Sequence, residues 1–135
     1  MSYKVYLIEG VGETYAAKLG DAGIDTTDDL LSACAKPSGR KMLAEKTGIS
    51  EKLILRWTNH ADLMRIKGVA GQFAELLEAA GVDTIKELRH RVPANLHARL
   101  VEVNDERNLC NRVPSLTEIE RMVEQAKDLP PVVGY

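Results

Sequence analysis

Residues 8–31, IEGVGETYAAKLGDAGIDTTDDLL, and residues 66–89, IKGVAGQFAELLEAAGVDTIKELR, align without a gap at an offset of 58, with 10 of 24 positions identical. The identities include Gly10/Gly68, Val11/Val69, Ala16/Ala74, Leu19/Leu77, Ala22/Ala80, Gly23/Gly81, Asp25/Asp83, Thr26/Thr84 and Leu30/Leu88, and Tyr15/Phe73 is a conservative exchange. An internal repeat this long makes the chain two copies of one supersecondary unit. The boundary falls near Met64, giving units 1–63 and 64–135.

Inside one copy, Gly10-Val11-Gly12 reads as a tight turn that feeds a helix, because apolar residues 15, 16, 19 and 22 share one face at 3.6 residues per turn. Gly23 ends that helix as a left-handed residue, and Thr26 or Thr27 caps the next one, with Asp28 and Asp29 in its first turn. The same grammar recurs at Gly81, Thr84 and Glu87, where Thr84 and Glu87 have capping-box spacing. Further helices are expected near 39–47 and 50–62, separated by Gly48 as a C-cap and Ser50 as an N-cap, and in the second copy near 84–91, 94–103 and 115–128. Pro93 is compatible with a first turn, and Ser115 to Glu118 is another capping box. Strand signals are nearly absent, so the expected fold is all-α with about eight to ten short helices.

The later parts of the two copies correspond more loosely. Residues 49–63 can be laid on 115–129 at an offset of 66, pairing Leu53 with Ile119, Trp57 with Val123 and Leu63 with Leu129. The change of offset implies about eight extra residues in the second copy, placed as a loop or short helix in the polar stretch 103–113.

At 135 residues with 44% hydrophobic and 28% charged side chains, the composition is that of a soluble globular chain. The apolar stretch at the start is too short for a signal peptide, and no run approaches the ~18 residues of a membrane span, so no membrane association and a cytoplasmic location are expected. Cys34 and Cys110 lack metal-ligand spacing and are read as reduced core cysteines. His60, His90 and His97 show no H-E-x-x-H spacing, and the sequence has no P-loop, no G-x-S-x-G and no dinucleotide glycine signature. No enzyme, cofactor or metal is indicated. His90 and His97 are expected on the surface, and Trp57 in the core.

The run from Ile8-Glu9-Gly10-Val11-Gly12 through Ala16, Leu19, Ala22, Gly23 and Ile24 resembles the helix-hairpin-helix motif. Residues 43–50, with Gly48, look like a degenerate second hairpin, so each half is similar to a paired helix-hairpin-helix domain with a SAM-like arrangement. The whole chain further resembles a bacterial domain-of-unknown-function family made of tandem copies of this unit. The resemblance implies that the glycine hairpin offers backbone amides at a helix N-terminus to a nucleic-acid phosphate, a geometry suited to anions. Carried onto this chain, the contacts are Gly10, Val11 and Gly12 in the first copy and Gly68, Val69, Ala70 and Gly71 in the second. Ala70 departs from the motif by replacing the second glycine, and Glu9 and Glu13 flank the first hairpin with charge that repels phosphate.

Charge is unevenly spread along a chain of net charge −2. Residues 1–35 carry two lysines against six acids, residues 36–56 carry six basic against two acidic side chains, and residues 86–112 six against four. Two function classes therefore stand open. In one, Arg40, Lys41, Lys52 and Arg56, with the amides near Gly48 and with Arg65 and Lys67 at the second hairpin, contact a duplex backbone nonspecifically. In the other, opposed charged faces serve a protein partner or self-association, and the segment 130–135, PPVVGY, docks on a neighbour or pairs with residues 3–8 as an added strand. The plainer alternatives are solvated helix faces and a segment packed on its own chain.

Overall fold

The computed structural model describes residues 2–135. A 3₁₀ turn at Val5–Leu7 leads into α1 (Gly12–Asp21), α2 (Thr27–Cys34), α3 (Pro37–Thr47), α4 (Glu51–Leu63), α5 (Gly71–Ala79), α6 (Ile85–Leu88), α7 (Pro93–Arg107) and α8 (Leu116–Asp128). Among the described residues the fold is helical, with one isolated antiparallel bridge between Lys4 and Thr26.

Helix ends form where local chemistry favours them. At the end of α1 the amide of Ile24 donates to Leu19 O (2.9 Å) and that of Gly23 to Gly20 O (2.9 Å), around a left-handed Gly23. Fifty-eight residues later Val82 donates to Leu77 O (2.9 Å) and Gly81 to Glu78 O (3.0 Å), again with a left-handed glycine. Both are six-to-one C-caps that satisfy the last carbonyls of a helix. Thr26, not Thr27, caps α2 and forms a full capping box with Asp29. Ser115 and Glu118 do the same for α8. At α6 only half of the expected box is present: Thr84 accepts from Glu87 N, but the Glu87 carboxylate turns away to Arg91 Nε.

Two expectations about the second half are corrected. The first part of the polar stretch 103–113 is not a loop or a separate helix but the end of α7, which continues to Arg107 with Leu96, Leu100 and Val103 buried along one face. Its charged residues occupy the solvent side, where Glu and Arg are good helix formers. The helix stops at Asn108, which is left-handed at φ 50°. Beyond it, Asn104 ties the loop by exchanging hydrogen bonds with Cys110 N and O at 2.9 and 3.0 Å. Second, the late helices correspond at 65 residues, not 66. Ile54, Trp57, Thr58 and Ala61 are buried on α4, and Ile119, Met122, Val123 and Ala126 are buried on α8. Their serine caps, Ser50 and Ser115, are also 65 apart.

One apolar core runs through both halves, from Ile8, Val11 and Leu19 to Leu100, Ile119 and Val123. α4 lies at its centre, buried from Trp57 through Leu63 and packed against α2, α3 and α5. Trp57 is 1% exposed and meets Tyr15 edge-on, with ring centroids 5.1 Å apart. Cys34 and Cys110 are buried free thiols, and burial pushes the Cys34 thiol up to about 11. Of the histidines, His90 is exposed, His97 half-buried and His60 fully buried.

Residues 3–5 do pair in extended fashion, but with residues 25–27: Thr27 N donates to Tyr3 O (2.8 Å) and Val5 N to Asp25 O (3.0 Å). Segment 130–135 lies elsewhere on the chain, with Gly134 N donating to Ala35 O at 2.7 Å. Among the described residues no helix is long and apolar enough to cross a membrane.

Candidate functional site

Each glycine hairpin is pinned by apolar side chains and faces outward through its glycines. In the first, Ile8 and Val11 are buried, Val11 N donates to Ile8 O (3.2 Å), and Gly10 and Gly12 are exposed with φ of 89° and 65°. In the second, Ile66 and Val69 are buried, Val69 N donates to Ile66 O (3.1 Å), and Gly68 is exposed with φ 96°. Positive φ is what fits glycine to these turns. Neither α1 nor α5 receives a side-chain cap at its N-terminus. Their first amides are therefore orphan donors at the positive end of a helix.

The two turns differ where Ala70 stands in place of the second glycine. Ala70 is extended, at φ −106° and ψ −177°, and the helix starts one residue later, at Gly71. Alanine is unstrained there, because no left-handed conformation is required of it. Gly71 is buried, and a Cβ on it would stand 2.1 Å from the carbonyl oxygen of Leu7. That glycine serves the contact between the second helix start and the turn before α1, so it is not an open ligand position.

Clefts open on both sides of Gly68. One of about 300 Å³ is bounded by Lys67, Arg121, Met122 and Gln125, and Gln125 Oε1 accepts from Lys67 N at 3.0 Å. The other, about 230 Å³, is bounded by Ala70, Gln72, Cys110 and Arg112. Glu118 borders both. Its carboxylate accepts from Arg112 Nη1 and Nη2 at 3.0 and 3.1 Å and from Ser115 N at 3.2 Å. The Arg112 pair, and then the Ser115 amide, hold that carboxyl at about 2, against 4.5 ordinarily. A carboxyl depressed by folding stabilises the fold above its unfolded value and loses that contribution as pH falls through the folded one. Accordingly, the Glu118 contribution is expected to be complete above about pH 4.5 and lost as pH falls toward about 2. A carboxyl-resolved NMR titration checks this, and a Glu118 midpoint above 4 would contradict the bidentate pairing.

Of the basic residues expected to act together at 36–56, Arg40 is withdrawn from the surface, while Lys52 and Arg56 border one cleft. Arg40 is buried at 6% exposure and spends its guanidinium on carbonyls: Nη1 on Cys34 O (3.0 Å) and Ala35 O (3.1 Å), Nη2 on Gly134 O (2.8 Å). Arg56 Nε is paired with Glu78 Oε1 at 3.1 Å. The other oxygen of Glu78 lies 3.0 Å from His60 Nε2. Burial pushes the Glu78 carboxyl up, but bonding to His60 and the charges of His60 and Arg56 outweigh this and leave it below its ordinary value. Arg65 Nη1 is engaged by Asp62 Oδ1 and Pro130 O, both at 3.0 Å. Lys41, Lys52 and Lys67 are exposed. Gly48 is an exposed left-handed C-cap, but Ser50 caps the helix that follows it.

The residues that flank Gly68 without having been anticipated are Arg112, Arg121 and Gln125. The sequence signal for them was slight: Arg121 follows the capping-box Glu118 by three positions, one turn along the same face. Among the described residues no three His, Cys, Asp or Glu side chains are grouped as metal ligands.

No curated protein and no solved structure matches the chain. The model of one family, described as a domain of unknown function (DUF4332), matches residues 9–129. That span takes in the glycines of both turns and all eight helices from end to end, and the chain belongs to this family.

Proposed function

We propose that the chain is a non-enzymatic binding module that touches nucleic-acid backbone without reading bases, and that its halves are two copies of a helix-hairpin-helix unit in a SAM-like arrangement. The observation that carries this is the turn at Gly68. It is exposed, its helix start lacks a side-chain cap, and Lys67, Arg112 and Arg121 surround it. Of the acids nearby, Glu118 borders both clefts and its charge is already met by Arg112, while Glu120, Glu124 and Asp128 share a further cleft with Arg121. The turn at Gly10 is a poorer site, because Glu13 stands exposed in the first turn of its helix. A net charge of −2 keeps the binding local and weak.

Anisotropy of a labelled mixed-sequence duplex at low salt tests the reading. We expect a dissociation constant between about 10⁻⁴ and 10⁻⁶ M and a log–log salt slope near −2, as for roughly two neutralised phosphates. Replacing Lys67 and Arg121 together by Glu should weaken binding by about tenfold or more. Absence of any binding at about 50 µM protein sinks the proposal.

A second reading, a protein-interaction adaptor, is favoured by Tyr6 and Leu7, which stand exposed side by side at 59% and 45%.

A further inference from the structure

The carbonyls of residues 126–134 are held by arginines. Arg89 Nη2 donates to Ala126 O (3.1 Å) and Leu129 O (2.6 Å), Arg65 to Pro130 O (3.0 Å), and Arg40 Nη2 to Gly134 O (2.8 Å). Beyond α8 this strand of chain crosses to the first half. There Gly134 N donates to Ala35 O, the Tyr135 hydroxyl donates to Asn59 Oδ1 (2.8 Å), and the Tyr135 ring lies 5.8 Å from the Arg40 guanidinium carbon. The arrangement has the features of a receptor and its ligand: an extended backbone read through its own amide and carbonyl, followed by an aromatic anchor with a polar tip.

Two properties make the occupant replaceable. The receptor is built independently of it, because Arg40 is buried and fixed by Cys34 O and Ala35 O at the end of α2, so its remaining donor points at the groove whether or not a chain lies there. The occupant itself is thinly held. Pro130, Pro131, Val132 and Tyr135 are exposed, Tyr135 at 72%, and Val133 alone of the segment packs on the core. A segment with little buried apolar area, fastened by hydrogen bonds that are only partly buried, opens at low cost while the rest of the fold persists. Beside it, an open cleft of about 430 Å³ between Val132, Arg65, Leu31 of α2 and Ala35 just after it leaves room for a chain to move in and out.

We propose that Ala35, Arg40, Asn59 and Arg65 form an exchangeable peptide groove for an extended Pro-Pro-Val-Val-Gly-Tyr segment, and that the partner that fits it is the same segment of a second copy of this chain. Every bond now made within the chain is reproduced between two copies, and neither copy is left with an unmet donor. This goes beyond backbone binding at Gly68 and does not depend on it.

The test uses the full-length chain with a labelled peptide of residues 128–135. Within the chain, Tyr135→Ala removes the Asn59 bond and the ring over Arg40 and so weakens the internal competitor, which acts at an effective concentration on the order of millimolar. The expected results are that the Y135A chain, its helical circular dichroism unchanged, binds the peptide about fivefold tighter than the unaltered chain, and that a peptide with alanine in place of its tyrosine binds about tenfold more weakly. Sedimentation of the unaltered chain should show a dimer that grows between roughly 10 µM and 1 mM and dissolves when excess peptide is added. A peptide that binds neither chain at about 1 mM, or binds equally well without its tyrosine, overturns the groove. Peptide binding by a chain that stays monomeric throughout that range overturns the assignment to a second copy.

Discussion

Gly71→Ala is expected to lower the melting temperature by roughly 10 °C. The new methyl would sit 2.1 Å from Leu7 O and 3.3 Å from its carbonyl carbon, well inside van der Waals contact. The obstacle is backbone, so no rotamer change relieves it, and the turn before α1 must separate from the start of α5. Forcing an extra methyl into a packed site costs about 1–3 kcal/mol, and about 4 kcal/mol is expected here, where backbone must move. Alanine returns somewhat under 1 kcal/mol through its helix propensity, less than the steric term. A net loss of about 3 kcal/mol corresponds to roughly 10 °C in a chain of this size. Gly12→Ala is the informative control. Nothing lies within 4 Å of its added Cβ, so only the positive φ of 65° is penalised, at about 1–2 kcal/mol. Thermal unfolding followed by circular dichroism separates the two. A Gly71→Ala chain that melts with the unaltered protein would mean that the two hairpin regions do not touch as described.

The second large effect is expected at Asp62. Its side chain is 2% exposed, with Oδ2 accepting from Ile85 N at 2.9 Å and Oδ1 from Arg65 Nη1 at 3.0 Å. α6 has four residues and could not persist alone. Thr84 satisfies the amide of Glu87, and Asp62, reaching over from the end of α4, satisfies that of Ile85. Asp62→Ala strands a buried amide and frees a guanidinium from its acid. Breaking such a buried pair costs about 3–5 kcal/mol. Asp62→Asn keeps an acceptor for Ile85 and loses the charge, so about half that loss is expected. Besides a lower melting temperature, Asp62→Ala should remove the hydrogen-exchange protection of the Ile85 amide. If that amide stays protected, the cap across elements is not what holds α6.

Most of the helical layout was legible because its causes are local. Gly23 and Gly81 stop their helices through bonds within six residues, and Thr26, Ser50 and Ser115 start theirs through bonds within three. α7 was read too short for a physical reason: its buried stripe of Leu96, Leu100 and Val103 was visible, but the charged residues that follow look alike in a loop and on a solvated helix face. Asn108 as the stop carried a weaker signal than glycine would have. The one-residue error in matching α8 to α4 came from pairing Trp57 with Val123, whereas the burial pattern sets Met122 in that place.

The candidate site was half legible. Buried Val11 and Val69 between outward glycines follow from the alternation of apolar and glycine residues in the quoted stretches. The fate of the cations does not follow from the sequence, because it depends on partners far along the chain. Arg40 reads as a surface charge in the sequence, yet its guanidinium is spent on Cys34 O and Ala35 O, six and five residues back, and on Gly134 O, 94 residues on. Lys67 gained its surroundings from Gln125, 58 residues on. A tally of charge along a segment cannot tell a solvated guanidinium from one that fastens the backbone.

The burial of α4 bears on the protein as a material object. Its residues from Trp57 to Leu63, and Met64 after them, are covered, and α2, α3 and α5 pack against the helix. Residues 57–64 thus form the longest unbroken buried run among the described residues. A half excised there would bare that flank to water and is expected to aggregate.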